Sequence, residues 1–484
     1  MEQDLEWHAI DWKVILKRVR NLRQRIFRAT QCGQWNQVRS LMKLMLRSYS
    51  NLLQSVKKVT QENKGKKTAG IDRQKVLTPK ARVKLVREML SYSAWKTSPA
   101  RRVYIPKAGG KQRPLGILTI KNRVAQAVVK NALEPCWEAR FEPNSYGFRP
   151  GRSCHDAIVQ VWNRLRSYSL HKWALDADLK GAFDNISHSF ILKSLGSLPG
   201  RELMKQWLKA GYVESEIFHA TECGVPQGGV ISPLAANIAL DGLEKRLGRK
   251  YSYIRYADDF IVTAKSREDI EAVLPMVTNF FLERGLQLNM EKTRIVHVKD
   301  GLNFLGFHVR SYNNKCIVKP QKERVLALLK EIRAWLKNNP HVTPAVVIGY
   351  LNPILRGWAN YNKRVNSKSV FSWIDHEVWR ALWRWCRNRH KHKRKSSTWI
   401  KPKYFSRVDG RDWTFFARYT DSNGGRKEVH LLHLSSIPVV RHVKISGTNS
   451  PDDPSLREYW VQRTRRFRCT REQLLVAMDA EGLS

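Results

Sequence analysis

Two aspartates, Asp258 and Asp259, stand side by side in the stretch YIRYADDF (253–260). The segments on either side are rich in strand-forming residues, so the pair is expected at the tip of a β-hairpin. Successive side chains of an extended strand point to opposite faces, and both carboxylates can therefore reach one side only at a turn. Considered alone, an Asp-Asp pair in this setting indicates an ordinary surface turn.

A second acidic stretch, DADLKGAFDN (176–185), changes that interpretation. Asp176 and Asp178 are expected on one face of a strand whose other face is apolar. Two acidic strand ends brought together would repel each other unless a divalent cation lay between them, and carboxylates without neighbouring His or Cys suit Mg²⁺. A pair of such ions is the usual device for in-line phosphoryl transfer. The residues thus predict a metal-dependent phosphoryl-transfer site, but they do not decide between Asp176 and Asp178.

The elements that must position these carboxylates lie within residues 100–310, which mix short strand-like and helical runs. This mixture predicts an α+β domain built on an antiparallel sheet. In RRVYIPKAGGKQRPLGIL (101–118), two strand-like runs flank Gly109-Gly110, which indicates a hairpin. Residues 11–60 are basic and helical in pattern, and helices dominate again from about residue 320. One predicted helix there has an apolar face formed by Phe371, Ile374, Val378, Leu382 and Trp385.

The charge of the chain points to a polyanionic partner. Its 484 residues include 87 Lys and Arg against 42 Asp and Glu, a formal net charge of +45. Such an excess favours nucleic acid, because no apolar run is long enough to span a membrane and no lipidation signal occurs. The seven cysteines form no CxxC pair, so neither a zinc site nor a disulfide framework is expected. With no signal or transit sequence at the N-terminus, we expect a reducing, cytoplasmic location.

The chain resembles the group II intron-encoded reverse transcriptase/maturase family over nearly its whole length, in a form without the HNH endonuclease domain. A YADD turn after a D-x-x-x-x-F segment is similar to the palm of a reverse transcriptase, and the other motifs follow in the order of the family. The motifs are RRVYIPKAGGKQRPLGI (101–117), SYGFRPGRSCHDAI (145–158), DADLKGAFDNISH (176–188), GVPQGGVISPLAANI (224–238), RYADDF (255–260), LNMEKT (288–293), FLGF (304–307), RGWANY (356–361) and RHVKISGTNSPDDP (441–454).

The resemblance implies a right-hand polymerase with fingers and a palm, a helical thumb and a small basic DNA-binding module. The corresponding domains are a basic helical N-terminal extension (1–70), fingers and palm (71–312), a thumb or maturase domain (313–400) and a DNA-binding region (401–484). It also implies a bacterial protein that is nucleoid-associated when it acts on DNA.

The resemblance assigns the site residue by residue. Asp178, Asp258 and Asp259 match the metal-binding catalytic triad for two Mg²⁺ ions, which selects Asp178 over Asp176. Phe183 matches a steric gate that favours dNTPs by crowding a 2′-hydroxyl, although an ordinary core aromatic is the simpler interpretation without the motif. Lys107, Arg113 and Gln227 match the nucleotide-binding residues.

Contacts with nucleic acid are expected at basic and aromatic residues of three further regions. They are Arg149 and Arg152 in the GFRPGR stretch, Arg356 and Trp358 in RGWANY, Lys391, Lys393 and Arg394 in the basic arm, and Arg441 and Lys444 near the C-terminus. A Walker P-loop pattern does not occur, which disfavours an NTPase motor.

The resemblance predicts an RNA-directed DNA polymerase that also binds group II intron RNA and assists its splicing. It implies target DNA as a second partner, a DNA primer from another source, dNTP substrates and no zinc, and it leaves a homodimer open. The alternative is an RNA-binding splicing factor whose polymerase site is inactive. Another retroelement polymerase, such as a diversity-generating one, is disfavoured by RGWANY and the C-terminal region.

Overall fold

A computed structural model of the protein describes residues 6–91, 95–106, 110, 112–390, 396–420 and 424–464. The chain forms two compact units. The first contains the described residues of Met1–Ala157, Leu170–Ile295 and Ile445–Trp460, and the second contains those of Ile158–Ser169, Val296–Lys444 and Val461–Ser484. The units therefore do not follow the order of the chain, since a segment from the predicted DNA-binding region belongs to the first unit. The predicted domain limits remain a prediction.

The described part of the chain contains sixteen α-helices. They are α1 (Trp12–Gln31), α2 (Trp35–Arg47), α3 (Tyr49–Lys57), α4 (Pro79–Met89), α5 (Ile120–Glu138), α6 (Cys154–Leu165), α7 (Ala182–Asn185), α8 (His188–Leu195), α9 (Arg201–Leu208), α10 (Ser232–Ala239), α11 (Leu243–Leu247), α12 (Arg267–Leu282), α13 (Lys322–Asn338), α14 (Pro344–Asn362), α15 (Lys368–Arg389) and α16 (Ser397–Tyr404). Several begin at a polar cap: the side chain of Asp11 accepts hydrogen bonds from the first turn of α1, and Thr119 does the same for α5.

Fourteen strands are described. They are β1 (Ala100–Pro106), β2 (Gln112–Ile117), β3 (Trp173–Ala177), β4 (Tyr212–Glu214), β5 (Ile217–His219), β6 (Ser252–Tyr256), β7 (Asp259–Ala264), β8 (Arg294–His297), β9 (Leu302–Phe304), β10 (Phe307–Tyr312), β11 (Lys315–Pro320), β12 (Phe405–Val408), β13 (Arg411–Thr420) and β14 (Arg426–His430).

Four sheets result, with the strand orders β2-β1-β4-β5, β6-β7-β3-β8, β11-β10-β9 and β12-β13-β14. The predicted hairpin over 101–118 is confirmed, because β1 and β2 pair antiparallel from Arg101↔Ile117 to Pro106↔Gln112. The predicted antiparallel sheet is also confirmed, since β7 pairs antiparallel with both β6 and β3.

The core of the first unit is built around α5. Almost every residue of this helix is buried, and it packs among α1, α2 and α3 and against α10. The apolar side of the central sheet, including Leu175 of β3 and Val262 of β7, belongs to the same core. The helix and one face of the sheet therefore share a single apolar core.

The segment 445–460 is anchored in the first unit by buried polar contacts. The guanidinium of Arg23 on α1 contacts Glu134 on α5 at 2.9 Å and Asp452 at 2.6 Å. Burial alone would lower the pKa of Arg23, but the charges of Asp452 and Glu134 outweigh it and raise the pKa. The carboxylate of Asp156, which is completely buried, accepts a hydrogen bond from the backbone N–H of Ile445 at 2.8 Å. These contacts tie a late part of the chain to its first long helix.

The second unit has a separate core, formed mainly by α13, α14 and α15. The predicted apolar face of α15 is confirmed, since Phe371, Ile374, Val378, Leu382 and Trp385 are all buried. Phe405 of β12 and Phe415 of β13 belong to the same core, so the sheet β12-β13-β14 packs on the helices. Among the described residues, no helix is both long and apolar enough to cross a membrane.

Candidate active site

Asp258 lies at the turn of the β6–β7 hairpin, as the sequence predicted. Tyr256 pairs with Asp259 across the hairpin, which leaves Ala257 and Asp258 as the two turn residues. Ala257 has a φ of +58°, a left-handed conformation that is uncommon for a residue with a side chain. A tight turn therefore presents Asp258, and Asp259 follows as the first residue of β7.

The second acidic stretch lies beside this turn. Strand β3 pairs with β7 through Asp176↔Ile261 and Ala177↔Phe260, and Asp178 follows directly after the strand. Burial raises the pKa of Asp259 to about 6, with further contributions from the negative charges of Asp258, Asp178 and Asp176. The structure thus brings together the carboxylates that the sequence predicted to meet.

A lysine that the sequence analysis did not single out contacts one of these carboxylates. The Nζ of Lys292 lies 2.6 Å from Oδ2 of Asp178. The hydrogen bond and charge of Asp178 raise the pKa of Lys292. The backbone N–H of Asn289 also donates to the carbonyl of Asp178 at 2.8 Å. Lys292 belongs to the LNMEKT motif, which was the only signal in the sequence that could have identified it.

The donor chemistry of the site fits a divalent cation. Within the described residues, no three His, Cys, Asp or Glu side chains already enclose a position for a metal ion. The aspartates nevertheless supply hard oxygen ligands of the kind that Mg²⁺ prefers, and a cation would offset the burial and the neighbouring negative charges that raise the pKa of Asp259.

Arg255, the residue immediately before YADD, stabilises the turn through hydrogen bonds. Its side chain is completely buried, and Nη1 donates to the carbonyl of Ala257 at 3.1 Å and to Oδ1 of Asn237 at 2.9 Å. Its backbone pairs with the loop after α5, through Arg255 N–H to the carbonyl of Asn144 (3.0 Å) and Tyr146 N–H to the carbonyl of Arg255 (2.9 Å). A buried arginine in an apolar strand gives no signal in the sequence, because Asn144, Tyr146 and Asn237, with which it pairs, belong to other elements.

Gly147 brings this loop into contact with the YADD turn. A Cβ at Gly147 would lie 2.1 Å from the backbone N of Ala257, so no larger residue fits there. The Nδ2 of Asn237 donates to the carbonyl of Gly147 at 2.9 Å and thus links the loop to the partner of Arg255. Loop and turn therefore form one rigid piece of backbone.

Two of the nucleotide-binding residues predicted by resemblance, Arg113 and Gln227, are joined by a hydrogen bond. The Nε of Arg113 donates to Oε1 of Gln227 at 2.7 Å, and Nε2 of Gln227 lies 3.3 Å from Oδ2 of Asp184. Phe183, next to Asp184, is buried, and its carbonyl accepts from the N–H of Val225 at 2.6 Å. Lys107 lies outside the described residues. A cavity of about 300 Å³ is lined by Phe183, Asp184 and Gln227, among other residues.

The expectation that Arg149 contacts phosphate is wrong. This side chain is buried, its guanidinium forms an ion pair with Glu138 at 3.0 Å, and it donates to the carbonyls of Glu142 and Ser145. A guanidinium so enclosed has no surface for an external anion. Arg152 is also engaged, with the carbonyls of Pro143 (2.7 Å) and Gly447 (3.0 Å), and burial lowers its pKa to about 10.

The remaining predicted nucleic-acid contacts lie in the second unit. Arg356 is half-buried on α14, and Trp358 packs with its ring edge-on to Phe371. Arg441 is exposed and Lys444 is half-buried, whereas the basic arm residues Lys391, Lys393 and Arg394 lie outside the described residues. Their contacts with nucleic acid remain a prediction.

Three family models match the chain in sequence. Residues 105–309 match "Reverse transcriptase (RNA-dependent DNA polymerase)", residues 7–89 match "N-terminal domain of reverse transcriptase", and residues 325–405 match "Group II intron, maturase-specific domain". The first model contains all three proposed metal-ligand positions. The third covers most of α13 and all of α14, α15 and α16.

Individual relatives agree with these models. Protein YkfC of Escherichia coli is 34% identical over 296 residues, covering 51% of this chain and 77% of that protein. Group II intron-encoded protein LtrA of Lactococcus lactis is 31% identical over 320 residues, covering 51% of this chain and 53% of LtrA. The match therefore spans only about half the length of LtrA. A solved telomerase structure from Candida tropicalis is 16% identical, with a TM-score of 0.36 over 46% of this chain and 55% of that chain.

Proposed function

This chain belongs to the group II intron-encoded reverse transcriptase/maturase family, which acts in intron splicing and mobility, and we propose from its site that it polymerises DNA on an RNA template. The observation that carries this proposal is the gathering of Asp178, Asp258 and Asp259 at adjacent strand ends, where burial and, after it, the neighbouring negative charges raise the pKa of Asp259 to about 6. A surface turn without a function would not keep three mutually repelling carboxylates together.

Asp178, Asp258 and Asp259 would hold Mg²⁺, which in this class of reaction activates the attacking 3′-hydroxyl and stabilises the leaving pyrophosphate. The carboxylates would act in their ionised form, since only that form is a good ligand. The contribution of the protein lies in rigid positioning, because Arg255 and Gly147 fix the turn that presents Asp258. The Nζ of Lys292, 2.6 Å from Oδ2 of Asp178, places a compensating positive charge beside this carboxylate.

The incoming dNTP would be held by Arg113 and Gln227, which are already joined by a hydrogen bond of 2.7 Å. The guanidinium suits phosphate oxygens, and a pre-formed contact limits the entropy lost when the nucleotide binds. Phe183 would exclude a 2′-hydroxyl by steric crowding, which gives selectivity for dNTPs. Lys107 is proposed as a second cation for the triphosphate.

Maturase activity would depend on the positive charge of the chain and on the helices of the second unit. The net charge of +45 suits a long RNA partner, because phosphate contacts supply affinity that decreases with salt. We assign residues 71–312 to fingers and palm, 313–400 to the thumb and maturase domain, and 401–484 to a region that binds target DNA. RNA itself would perform the splicing chemistry.

The second candidate is a splicing factor with an inactive polymerase site. The first unit contains the proposed triad, Phe183 and the Arg113–Gln227 hydrogen bond together, and this combination argues against an inactive site. A site released from polymerase function would not need this combination.

The test compares wild type with Asp258→Ala/Asp259→Ala in dNTP incorporation on a DNA-primed RNA template with Mg²⁺. RNA binding by both proteins is followed across a salt series. Glu268→Ala/Glu271→Ala on α12 is a matched control that also removes two carboxylates from the first unit. We expect extension by wild type and control only, with equal RNA binding by all three. Tight, salt-sensitive RNA binding without extension by wild type would favour the splicing factor instead.

A further inference from the structure

Phe148 has an unusual backbone conformation. Its φ is +61°, in the left-handed region, and it is the only aromatic residue of the described chain with a positive φ. Bulky residues avoid this region, so the surrounding structure must impose the conformation. Other exposed aromatics of the first unit, such as Tyr104 and Phe218, do not share it.

The strain is imposed from both sides of the residue. On the N-terminal side, Gly147 lies so close to Ala257 that the backbone cannot shift toward the YADD turn. On the C-terminal side, Gly151 lies against the indole of Trp460, where a Cβ would be 2.6 Å from the ring. The loop is therefore pinned at both ends, and Phe148 lies between the two fixed points.

The result of this conformation is a ring contact with the proposed steric gate. The rings of Phe148 and Phe183 have centroids 6.1 Å apart and planes at 84°, an edge-to-face pair. Phe183 is 8% exposed, whereas Phe148 is 48% exposed. The strained residue thus stands on the solvent side of the gate ring, where it restricts how that ring can tilt.

We propose that Phe148 is a positioning residue for the gate, which holds the ring of Phe183 in place and thereby sets the discrimination between dNTPs and rNTPs. The inference rests on the proposed function, in which Phe183 excludes the 2′-hydroxyl. A gate excludes a small group only if its ring cannot move aside, and a ring with a free outer side can do so. A surface aromatic that only stacked on a template base would need no left-handed backbone.

The experiment measures kcat/KM for a dNTP and for the matching rNTP on a DNA-primed RNA template. The variants are Phe148→Ala, Phe148→Leu, Phe183→Val and the double variant Phe148→Ala/Phe183→Val, with Phe218→Ala as the control for loss of an exposed aromatic. We expect Phe148→Ala to lower the dNTP-to-rNTP ratio roughly tenfold or more. Phe148→Leu should have a smaller effect in the same direction, and Phe218→Ala should have none.

The double variant shows whether Phe148 affects the dNTP-to-rNTP ratio through Phe183 or independently of it. Once Phe183→Val has opened the gate, adding Phe148→Ala should change the ratio little, because the two residues act as one unit. Additive effects, or an equal loss of efficiency for both sugars, would overturn the inference and leave the proposed polymerase standing. Failure of wild type to incorporate dNTPs would overturn both. RNA binding by each variant verifies that it is folded. If Phe148→Ala is not folded, the dNTP-to-rNTP ratio of Phe148→Leu decides the question.

Discussion

Arg23 and Asp452 are separated by 429 residues in the sequence, yet their side chains share two hydrogen bonds, of 2.8 Å and 2.6 Å. The pair is nearly buried, with side-chain exposures of 14% and 7%, and Glu134 completes it as a second carboxylate on Arg23. A bidentate guanidinium–carboxylate pair of this kind fixes both position and orientation. It joins α1, α5 and the segment 445–460 at one point.

Loss of Asp452 should destabilise the first unit strongly. Asp452→Ala leaves the charge of Arg23 incompletely compensated in a buried site, which is expected to cost about 3 kcal/mol or more. Asp453→Ala, at the neighbouring position, removes only the exposed hydrogen bonds that this carboxylate accepts from the N–H and hydroxyl of Ser455, and should cost about 1 kcal/mol. Urea unfolding followed by tryptophan fluorescence measures both values. Equal midpoints for the two variants would contradict the role of the buried pair.

A methyl group at Gly147 should abolish polymerase activity without loss of RNA binding. The Cβ of Gly147→Ala would lie 2.1 Å from the backbone of Ala257, and the YADD turn would have to move. Because a displacement of about 1 Å can reduce a rate by about 100-fold, we expect at least that loss in dNTP incorporation. Gly349→Ala in α14 is the control, since nothing lies within 4 Å of its Cβ. Full activity of Gly147→Ala would show that the turn tolerates movement.

Glu142 should make stability depend on pH. Burial, followed by the charge of Asp241, raises the pKa of Glu142 from 4.5 to about 7. The folded state thus favours the protonated form, so the stability that this group contributes is complete below about pH 4.5 and is lost as the pH rises through 7.

Glu142→Gln mimics the protonated form and should flatten this part of the pH profile. Its advantage over wild type at pH 8 should be at most about 3 kcal/mol, and it should disappear near pH 4. Glu202→Gln, at an exposed position on α9, is the control. Free energies of unfolding from urea titrations between pH 4 and 8 provide the comparison. Parallel profiles for wild type and Glu142→Gln would show that this carboxyl is not responsible.

Removal of Gln227 should weaken nucleotide binding more than the chemical step. Its side chain joins Arg113 at 2.7 Å and Asp184 at 3.3 Å, so Gln227→Ala leaves the guanidinium of Arg113 without its positioning partner. We expect an increase of roughly tenfold in KM for dNTP, equivalent to about 1.4 kcal/mol, with a smaller change in kcat. Gln206→Ala, an exposed glutamine on α9, should change neither. A lower kcat with unchanged KM would point to a contact made only in the transition state.

Local patterns in the sequence predicted the parts of the site that depend on local structure. The hairpin at Asp258 and the alternation around Asp176 follow from strand geometry, which a short window of residues determines. The apolar face of α15 follows in the same way from helical periodicity. In each case the side chains that decide the structure are neighbours in the chain.

The parts that could not be predicted depend on how the chain folds back on itself and not on the local repeat of a helix or strand. Arg149 appeared as a surface cation in the motif GFRPGR, and only Glu138 and two nearby carbonyls make it a buried structural residue. The same holds for Arg255, whose partners lie on the loop after α5 and on α10. Charge type alone does not distinguish a solvated arginine from one that is enclosed by hydrogen-bond acceptors.

The segment 445–460 has a consequence for synthesis of the protein. At about 5–20 residues per second, the ribosome needs on the order of ten seconds to move from residue 295 to residue 445. During this interval the first unit lacks Asp452, one of the two carboxylates on Arg23, and the indole of Trp460 that lies against Gly151. The loop at 147–151 of the nascent polymerase core is therefore held at Gly147 only, and its contact at Gly151 forms after most of the chain has been translated. The order of translation thus delays a complete site until the segment 325–405, which matches the maturase-specific model, has already been made.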